Sequence, residues 1–164
     1  MPPHPCVLKV ASTDTGCCLR IEGQGTMLHS PAAKNLAVRT FEGGATLVID
    51  LSACTYLDST FLGCLMELYR RFGKLQPPRY FMFGGNDSIQ RVLGPTHIDR
   101  LIPRLPDPPP ATRGPWLELQ SQALEKREQL VHVLECHRAL AAVEGPMQGA
   151  FARIAEQIAR ELAN

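Results

Sequence analysis

Apolar and polar side chains alternate near the start of the chain. Residues 7–10 are a short β-prone run, and residues 17–22 carry apolar side chains at alternate positions. Between these runs, residues 13–16 read Thr-Asp-Thr-Gly, a composition typical of a turn. The pattern predicts a β-hairpin close to the N-terminus.

Two later segments repeat their apolar residues at helical spacing. The first follows Ser30-Pro31, a pair that favours a helix start, and it ends at Gly43-Gly44. The second follows Asp58-Ser59, and its apolar positions recur over residues 61–72. Between the two helices, residues 46–51 are almost continuously apolar, as in a strand that is covered on both faces.

Shorter elements are predicted beyond the second helix. Residues 80–83 are typical of an aromatic strand, and residues 86–93 of a short helix with Asn86 or Asp87 as its cap. Residues 100–102 are expected to be a last edge strand. The predicted fold is therefore of the α/β class, with a mixed sheet flanked by helices.

The composition changes after residue 102. Prolines crowd into residues 103–115, which predicts an extended boundary segment. Residues 116–143 are then rich in helix-forming residues, and residues 147–162 carry an apolar stripe at helical spacing. We therefore expect a sheet domain over residues 1–105, a proline-rich linker over 106–115 and a C-terminal two-helix extension over 116–164.

Composition and charge narrow the function classes. With 164 residues, 45% of them hydrophobic, the chain can bury one ordinary core. A net charge of +1 gives no reason to expect a nucleic acid partner. The six cysteines include no C-x-x-C pair, so we expect reduced, buried thiols, no metal site and no cofactor. Since no apolar run is long enough for a signal peptide or a membrane span, a cytoplasmic protein is expected.

Ser59 is the strongest candidate for a functional residue, as a site of phosphorylation. A hydroxyl at a helix N-terminus lies near unpaired backbone N–H groups and the positive end of the helix dipole, so a phosphate there would be well accommodated. Phosphorylation would add about −2 charge beside Asp58, as a switch requires. The alternative is that Asp58 and Ser59 are only helix caps, worth ~1 kcal/mol.

Residues 48–63 resemble the signature of STAS domains, and among them of the bacterial anti-sigma-factor antagonists. That family has a strand ending in Asp-Leu, a loop, and then Asp-Ser-Ser-Gly-Leu-Gly at the start of the second helix. The order of predicted elements across residues 5–103 also matches, although Thr60 and Phe61 replace the family's second serine and first glycine. The matching positions are Asp50, Leu51, Asp58, Ser59, Leu62 and Gly63.

The resemblance implies a partner-switching regulator. An anti-sigma factor kinase would bind the unmodified protein and release a sigma factor, then phosphorylate the serine, and a phosphatase would reset it. By the same resemblance, Ser59 is the phosphoacceptor, with Thr60 as the alternative, and three loops form the partner-facing end. The expected partner contacts are Gly23, Gln24, Gly25, Thr26, Tyr56, Asp58, Ser59, Thr60, Phe61, Gly84, Gly85 and Asn86.

Two other functions stay open at this point. STAS domains also serve as scaffolds of signalling assemblies or as accessory subunits of lipid transport systems. An enzyme is not expected, because Ser59 lacks a Gly-x-Ser-x-Gly elbow and no histidine is placed by sequence to serve it. The apolar stripe of the last helix needs a partner, which is either the rest of this chain or a second copy in a homodimer. This stripe consists of Met147, Phe151, Ile154, Ile158 and Leu162.

Overall fold

A computed structural model of the chain describes residues 5–109 and 113–164. These residues form six strands and six α-helices, with a 3₁₀ turn at Gly94–Thr96. The strands are β1 (Val7–Ser12), β2 (Gly16–Gly25), β3 (Thr46–Asp50), β4 (Cys54–Leu57), β5 (Tyr80–Phe83) and β6 (Arg113–Leu119). The helices are α1 (Ser30–Glu42), α2 (Ser59–Phe72), α3 (Asp87–Leu93), α4 (Ile98–Leu101), α5 (Lys126–Ala141) and α6 (Gln148–Ala163).

The sheet is mixed, as predicted, with the strand order β5-β3-β2-β1-β6. The hairpin β1–β2 is antiparallel, while β2, β3 and β5 run parallel to one another. The short strand β4, which falls where a loop was expected, pairs in parallel with the end of β2. Since parallel strands end at the same edge of a sheet, Gly25, Asp50 and Phe83 mark one common edge.

The prediction for residues 113–119 was wrong. We expected the end of a linker and the start of a helix, but this segment is β6, antiparallel to β1 with Leu119 opposite Leu8. Trp116 lies 4.0 Å from the Arg20 guanidinium of β2, a cation–π contact with a residue far away in sequence. The helix begins only at Lys126, where Glu125 and Glu128 form a capping box. Residues 110–112 of the predicted linker lie outside the described residues.

The expected edge strand at residues 100–102 was also wrong. Most of this segment belongs to α4, and the residues that follow it directly, 103–105, lie along the free edge of β5. There the backbone N–H of Met82 donates to the Pro103 carbonyl at 2.9 Å, and the N–H of Leu105 donates to the Met82 carbonyl at 2.8 Å. The edge contact is therefore a single parallel bridge between Met82 and Arg104.

The two C-terminal helices pack against the sheet domain. Helix α5 lies along α2, and its Cys136, Ala139 and Leu140 belong to the same buried core as the sheet residues. Helix α6 packs on α5 through buried Phe151 and Ala155. Its predicted stripe is thus partly covered inside the chain, although Met147 and Ile154 remain 38% and 39% exposed.

Because α5 shares this core, replacing an alanine of α5 by aspartate should destabilise the protein far more than the same change at an exposed alanine of α6. Ala139 is 1% exposed, whereas Ala152 of α6 is exposed. Ala139→Asp should lower the free energy of unfolding by about 3 kcal/mol, because it buries an unpaired carboxylate. The matched change Ala152→Asp should cost less than about 0.5 kcal/mol. Urea unfolding of the full chain measures both, and equal small losses would show that α5 is not part of the core.

Candidate functional site

The Asp58 carboxylate fixes the start of α2. Its backbone is extended, and its Oδ1 accepts from the Phe61 N–H at 2.8 Å, as an N-cap does. Its Oδ2 accepts from the Met27 N–H, also at 2.8 Å. In addition, the Asp58 N–H donates to the Gly25 carbonyl at 3.0 Å. One side chain therefore joins the start of α2 to the segment that leaves β2.

Ser59, the first residue of α2, is half-buried and contacts a histidine from α5. Its Oγ lies 3.0 Å from Nε2 of His137. The other ring nitrogen of His137 lies 2.8 Å from the Val133 carbonyl, which can only accept, so Nδ1 carries the proton. In the neutral imidazole, Nε2 then accepts from the Ser59 hydroxyl. Sequence reasoning missed His137, since nothing local indicates a contact with a residue 78 positions away.

A serine next to a histidine is also the arrangement of a nucleophile and its base. Catalysis would require room for a substrate beside both groups. His137 is only 3% exposed, and its imidazole lies near the Phe151 ring, with centroids 6.1 Å apart. A cavity of about 600 Å³ lies elsewhere, between α1 and the segment after β6, and is lined by Lys34, Arg39 and Gln122 among others. The geometry therefore favours a structural contact between α2 and α5 over a catalytic pair.

The predicted glycine loop before α1 is mostly strand. Gly23, Gln24 and Gly25 end β2 and pair with Cys54, Tyr56 and Leu57 of β4. A Cβ on Gly25 would come within 2.7 Å of the Leu57 side chain and 3.0 Å of the Phe61 ring, so this end of β2 packs closely against β4 and α2. Thr26 follows the strand, and its hydroxyl lies 3.1 Å from Nδ1 of His29. Exposed apolar side chains accompany this end of the sheet, namely Met27, Leu28 and Tyr56.

Three of the expected partner contacts are buried, namely Gly25, Thr60 and Phe61. Thr60 is 4% exposed and Phe61 is 0% exposed, and the Phe61 ring packs over Gly25. A partner that leaves the fold intact would reach neither side chain. Burial therefore argues against Thr60 as an alternative phosphoacceptor and against Phe61 as a partner contact, while half-buried Ser59 keeps some access to solvent.

The third predicted loop lies at the end of β5. Gly84 and Gly85 have φ values of +75° and +104°, which favour glycine. A Cβ on Gly84 would also lie 2.9 Å from the Ser52 backbone N, so the loop packs closely against the β3–β4 turn. Asn86 caps α3 by accepting from the Ile89 N–H at 3.0 Å. The described contacts of these three residues are structural, and their role in partner binding stays a prediction.

Asp50 of the motif has a structural role as well. It is 1% exposed, and its carboxylate accepts from the Arg20 guanidinium at 3.0 Å. The other oxygen accepts from the backbone N–H and the hydroxyl of Ser52, at 2.9 and 2.6 Å. Because Arg20 also lies over Trp116, this buried carboxylate links β3 to β2 and, through the indole, to β6.

A second serine–histidine contact is buried between α1 and α5. Ser30 Oγ lies 2.7 Å from Nε2 of His132, so this hydroxyl does not cap α1 as expected. Burial, with the positive charge of Lys34, lowers the pKa of His132 to about 4. Lys34 itself bridges to Glu135 of α5 at 2.8 Å and to Glu67 of α2 at 3.5 Å. Polar contacts thus reinforce the docking of α5 on α1, and Lys34 also links α1 to α2.

The six cysteines are free thiols, as expected, but only four of them are buried, since Cys6 and Cys17 are half-buried. Burial raises the pKa of Cys6 and of Cys18 to about 12, and that of Cys54 to about 11. These thiols are therefore neutral and poor nucleophiles at neutral pH. In the part of the chain that the structure describes, no group of three or more His, Cys, Asp or Glu residues is placed to hold a metal ion. No helix among those residues has the length and apolar character to cross a membrane.

Comparison with known proteins shows the family to which the chain belongs. The sequence model of the STAS domain matches residues 8–106, more than half of the chain, so the chain belongs to the STAS domain family. Its fold is similar to the crystal structure of an anti-sigma factor antagonist from Mycobacterium paratuberculosis, with a TM-score of 0.54 and 24% identity. That similarity covers 63% of this chain and 87% of the other chain. Strand β6 and helices α5 and α6 lie beyond the family match.

The double role of Asp58 gives a stability prediction. Asp58→Ala removes both the cap of α2 and the acceptor for Met27, so the free energy of unfolding should fall by about 1–2 kcal/mol. Asp87→Ala is the matched control, because Asp87 stands in the first turn of α3 but Asn86 provides the cap there. This control should cost less than about 0.5 kcal/mol in the same urea titration. Equal losses of unfolding free energy in the two variants would mean that the negative charge near the helix N-terminus stabilises the fold, and that the hydrogen bonds of Asp58 do not.

The buried His132 gives a pH prediction. Its pKa falls from 6.5 in the unfolded chain to about 4 in the fold. Between these values the unfolded chain binds more protons, so stability should decrease as pH falls from 6.5 to 4, by up to about 3 kcal/mol. His132→Gln removes this titration, and its unfolding free energy should therefore fall less than that of the wild type between pH 7 and pH 4.5. Parallel losses in the two proteins would contradict this assignment.

Proposed function

We propose that this protein is an anti-sigma-factor antagonist, a partner-switching regulator of transcription that acts in the cytoplasm. It binds an anti-sigma factor kinase in its unmodified form and thereby controls the release of a sigma factor. The observation that carries this proposal is the position of Ser59, which opens α2 directly after the Asp58 cap, within the STAS match. The fold similarity to an anti-sigma factor antagonist supports the same function.

The switch would act through charge at the start of α2. A phosphate on Ser59 brings about −2 charge next to Asp58, which already accepts two backbone N–H bonds. The dipole of α2 favours that charge, so the sheet domain tolerates it. A partner that docks on this end meets a new anionic group in place of a neutral hydroxyl, and binding is lost by repulsion and bulk.

The partner-facing surface is proposed around this helix start. Tyr56 and Leu28 are 46% and 64% exposed, and Met27 is held by the Asp58 carboxylate. Exposed apolar side chains beside a modifiable hydroxyl suit a protein partner, here the kinase and the phosphatase that resets Ser59. The role is one of binding without catalysis, and neither nucleic acid nor membrane insertion is part of it.

The proposal is tested by mass spectrometry of the protein recovered from its own cells. We expect a fraction to carry the mass of one phosphate group on Ser59. Ser59→Ala should lose this species, remain folded and stay bound to the kinase, while Ser59→Asp should lose that binding. Ser88→Ala, which removes an exposed serine of α3, should behave as the wild type.

Two results would contradict the proposal. Phosphate on Ser59→Ala in the wild-type amount would place the modification elsewhere. An unmodified protein in a stable large oligomer would instead favour a scaffold or an accessory subunit of a signalling or lipid transport assembly.

A further inference from the structure

Helix α5 covers the side of α2 next to Ser59. Cys136 and Ala139 of α5 are each 1% exposed and belong to the same core as α2. This helix comes from the segment beyond residue 106, where the STAS match ends. A helix from outside the STAS match therefore covers the surface of α2 next to Ser59, the candidate switch residue.

The closeness of this packing depends on Gly63. A Cβ built there would lie 2.3 Å from the Cys136 carbonyl oxygen and 2.7 Å from Cys136 Cβ. Contacts this short with backbone cannot be relieved by a side-chain rotation. A glycine at this position of α2 thus lets α5 approach, and any larger residue would hold it away.

Polar contacts then join α5 to the start of α2 at two points. The Ser59 hydroxyl oxygen lies 3.0 Å from Nε2 of His137 in α5. About two turns earlier in α5, the Gln129 side chain donates to the Met27 carbonyl at 3.0 Å, and the Met27 N–H donates to Asp58. The hydroxyl, the cap and the adjoining loop are therefore all held while α5 is docked.

We infer that helices α5 and α6, which form a helical hairpin, control the access of a modifying enzyme to Ser59. We call this hairpin the gate. While α5 is docked, the hydroxyl is half-buried and lies in hydrogen-bond contact with His137, so it is poorly presented to an enzyme that modifies it. Displacement of α5 from α2 frees the hydroxyl and uncovers the helix start. The gating of phosphorylation rests on the proposed function, whereas the docking itself does not.

The gate is held shut by more than the two hydrogen bonds. Lys34 of α1 pairs with Glu135 of α5, and Leu140 and Phe151 are buried in the common core. Opening must break these contacts, so the open form is a minor population in the isolated chain. A partner that binds the freed surface of α2, or a change that weakens the packing, would raise that population.

The displacement of α5 can be tested with a variant that adds one methyl group to α2. Gly63→Ala places its methyl group against the backbone of α5, and alanine is a better helix former than glycine, so α2 itself is not weakened. Gly149→Ala is the matched control, since a Cβ in that helix meets only the end of the Arg153 side chain at 3.6 Å. In hydrogen exchange of the full chain, Gly63→Ala should speed exchange in α5 by about tenfold or more. Strands β2 and β3 should stay protected in both variants.

The effect of α5 displacement on phosphorylation is measured with an extract of the source cells and ATP. The readout is the initial rate of phosphate incorporation at Ser59. We expect Gly63→Ala to be modified about tenfold faster than wild type, and Gly149→Ala to be within about twofold of it. Should Gly63→Ala lose protection in β2 and β3 as well, Gln129→Ala serves in its place. Loss of the hydrogen bond from Gln129 to the Met27 carbonyl should raise the initial rate of phosphate incorporation at Ser59 about threefold.

The outcomes separate the two proposals. Faster exchange in α5 together with faster modification of Ser59 supports the gate. Faster exchange with an unchanged modification rate overturns the gate and leaves the proposed function standing. Modification of Ser59 in none of the proteins, the wild type included, overturns both.

Discussion

The whole arrangement depends on the burial of α2 between two layers. Eight of its fourteen residues are buried, some against the sheet and others against α5. Phe61 and Leu65 are held in the core, so the helix cannot shift along its axis without losing packing. The positions of Asp58 and Ser59 follow from this constraint, because they open a helix whose remainder is fixed. The C-terminal hairpin completes the layer that the sheet domain alone leaves uncovered.

The elements near the motif were predictable because their signals are local. Asp58 and Asn86 were expected at helix starts, and both accept from the N–H three residues later. The hairpin β1–β2, the buried strand β3 and the STAS fold were likewise confirmed. The periodicity of apolar residues and the turn composition act within a few positions, so one sequence contains enough information to place these elements.

The errors fall where a distant residue decides the local structure. Trp116 was assigned to a helix, but Arg20 and the free edge of β1 hold it in a strand. Ser30 was expected to cap α1, and its hydroxyl bonds to His132 instead. His137 showed no signal at all, since its meeting with Ser59 requires the packing of α5 on α2. The candidate site was therefore predictable only in the half that lies within the motif.

The place of α5 in the chain has a consequence for synthesis on the ribosome. Helix α2 ends at Phe72, and α5 begins only at Lys126, so the segment around Ser59 emerges well before the helix that covers it. Strand β6, which pairs with the first strand, also arrives late. Contacts between such distant segments slow folding, and the nascent chain exposes the apolar side of α2 until they form. A newly made molecule thus passes through a stage in which its serine is uncovered, whatever the state of the mature protein.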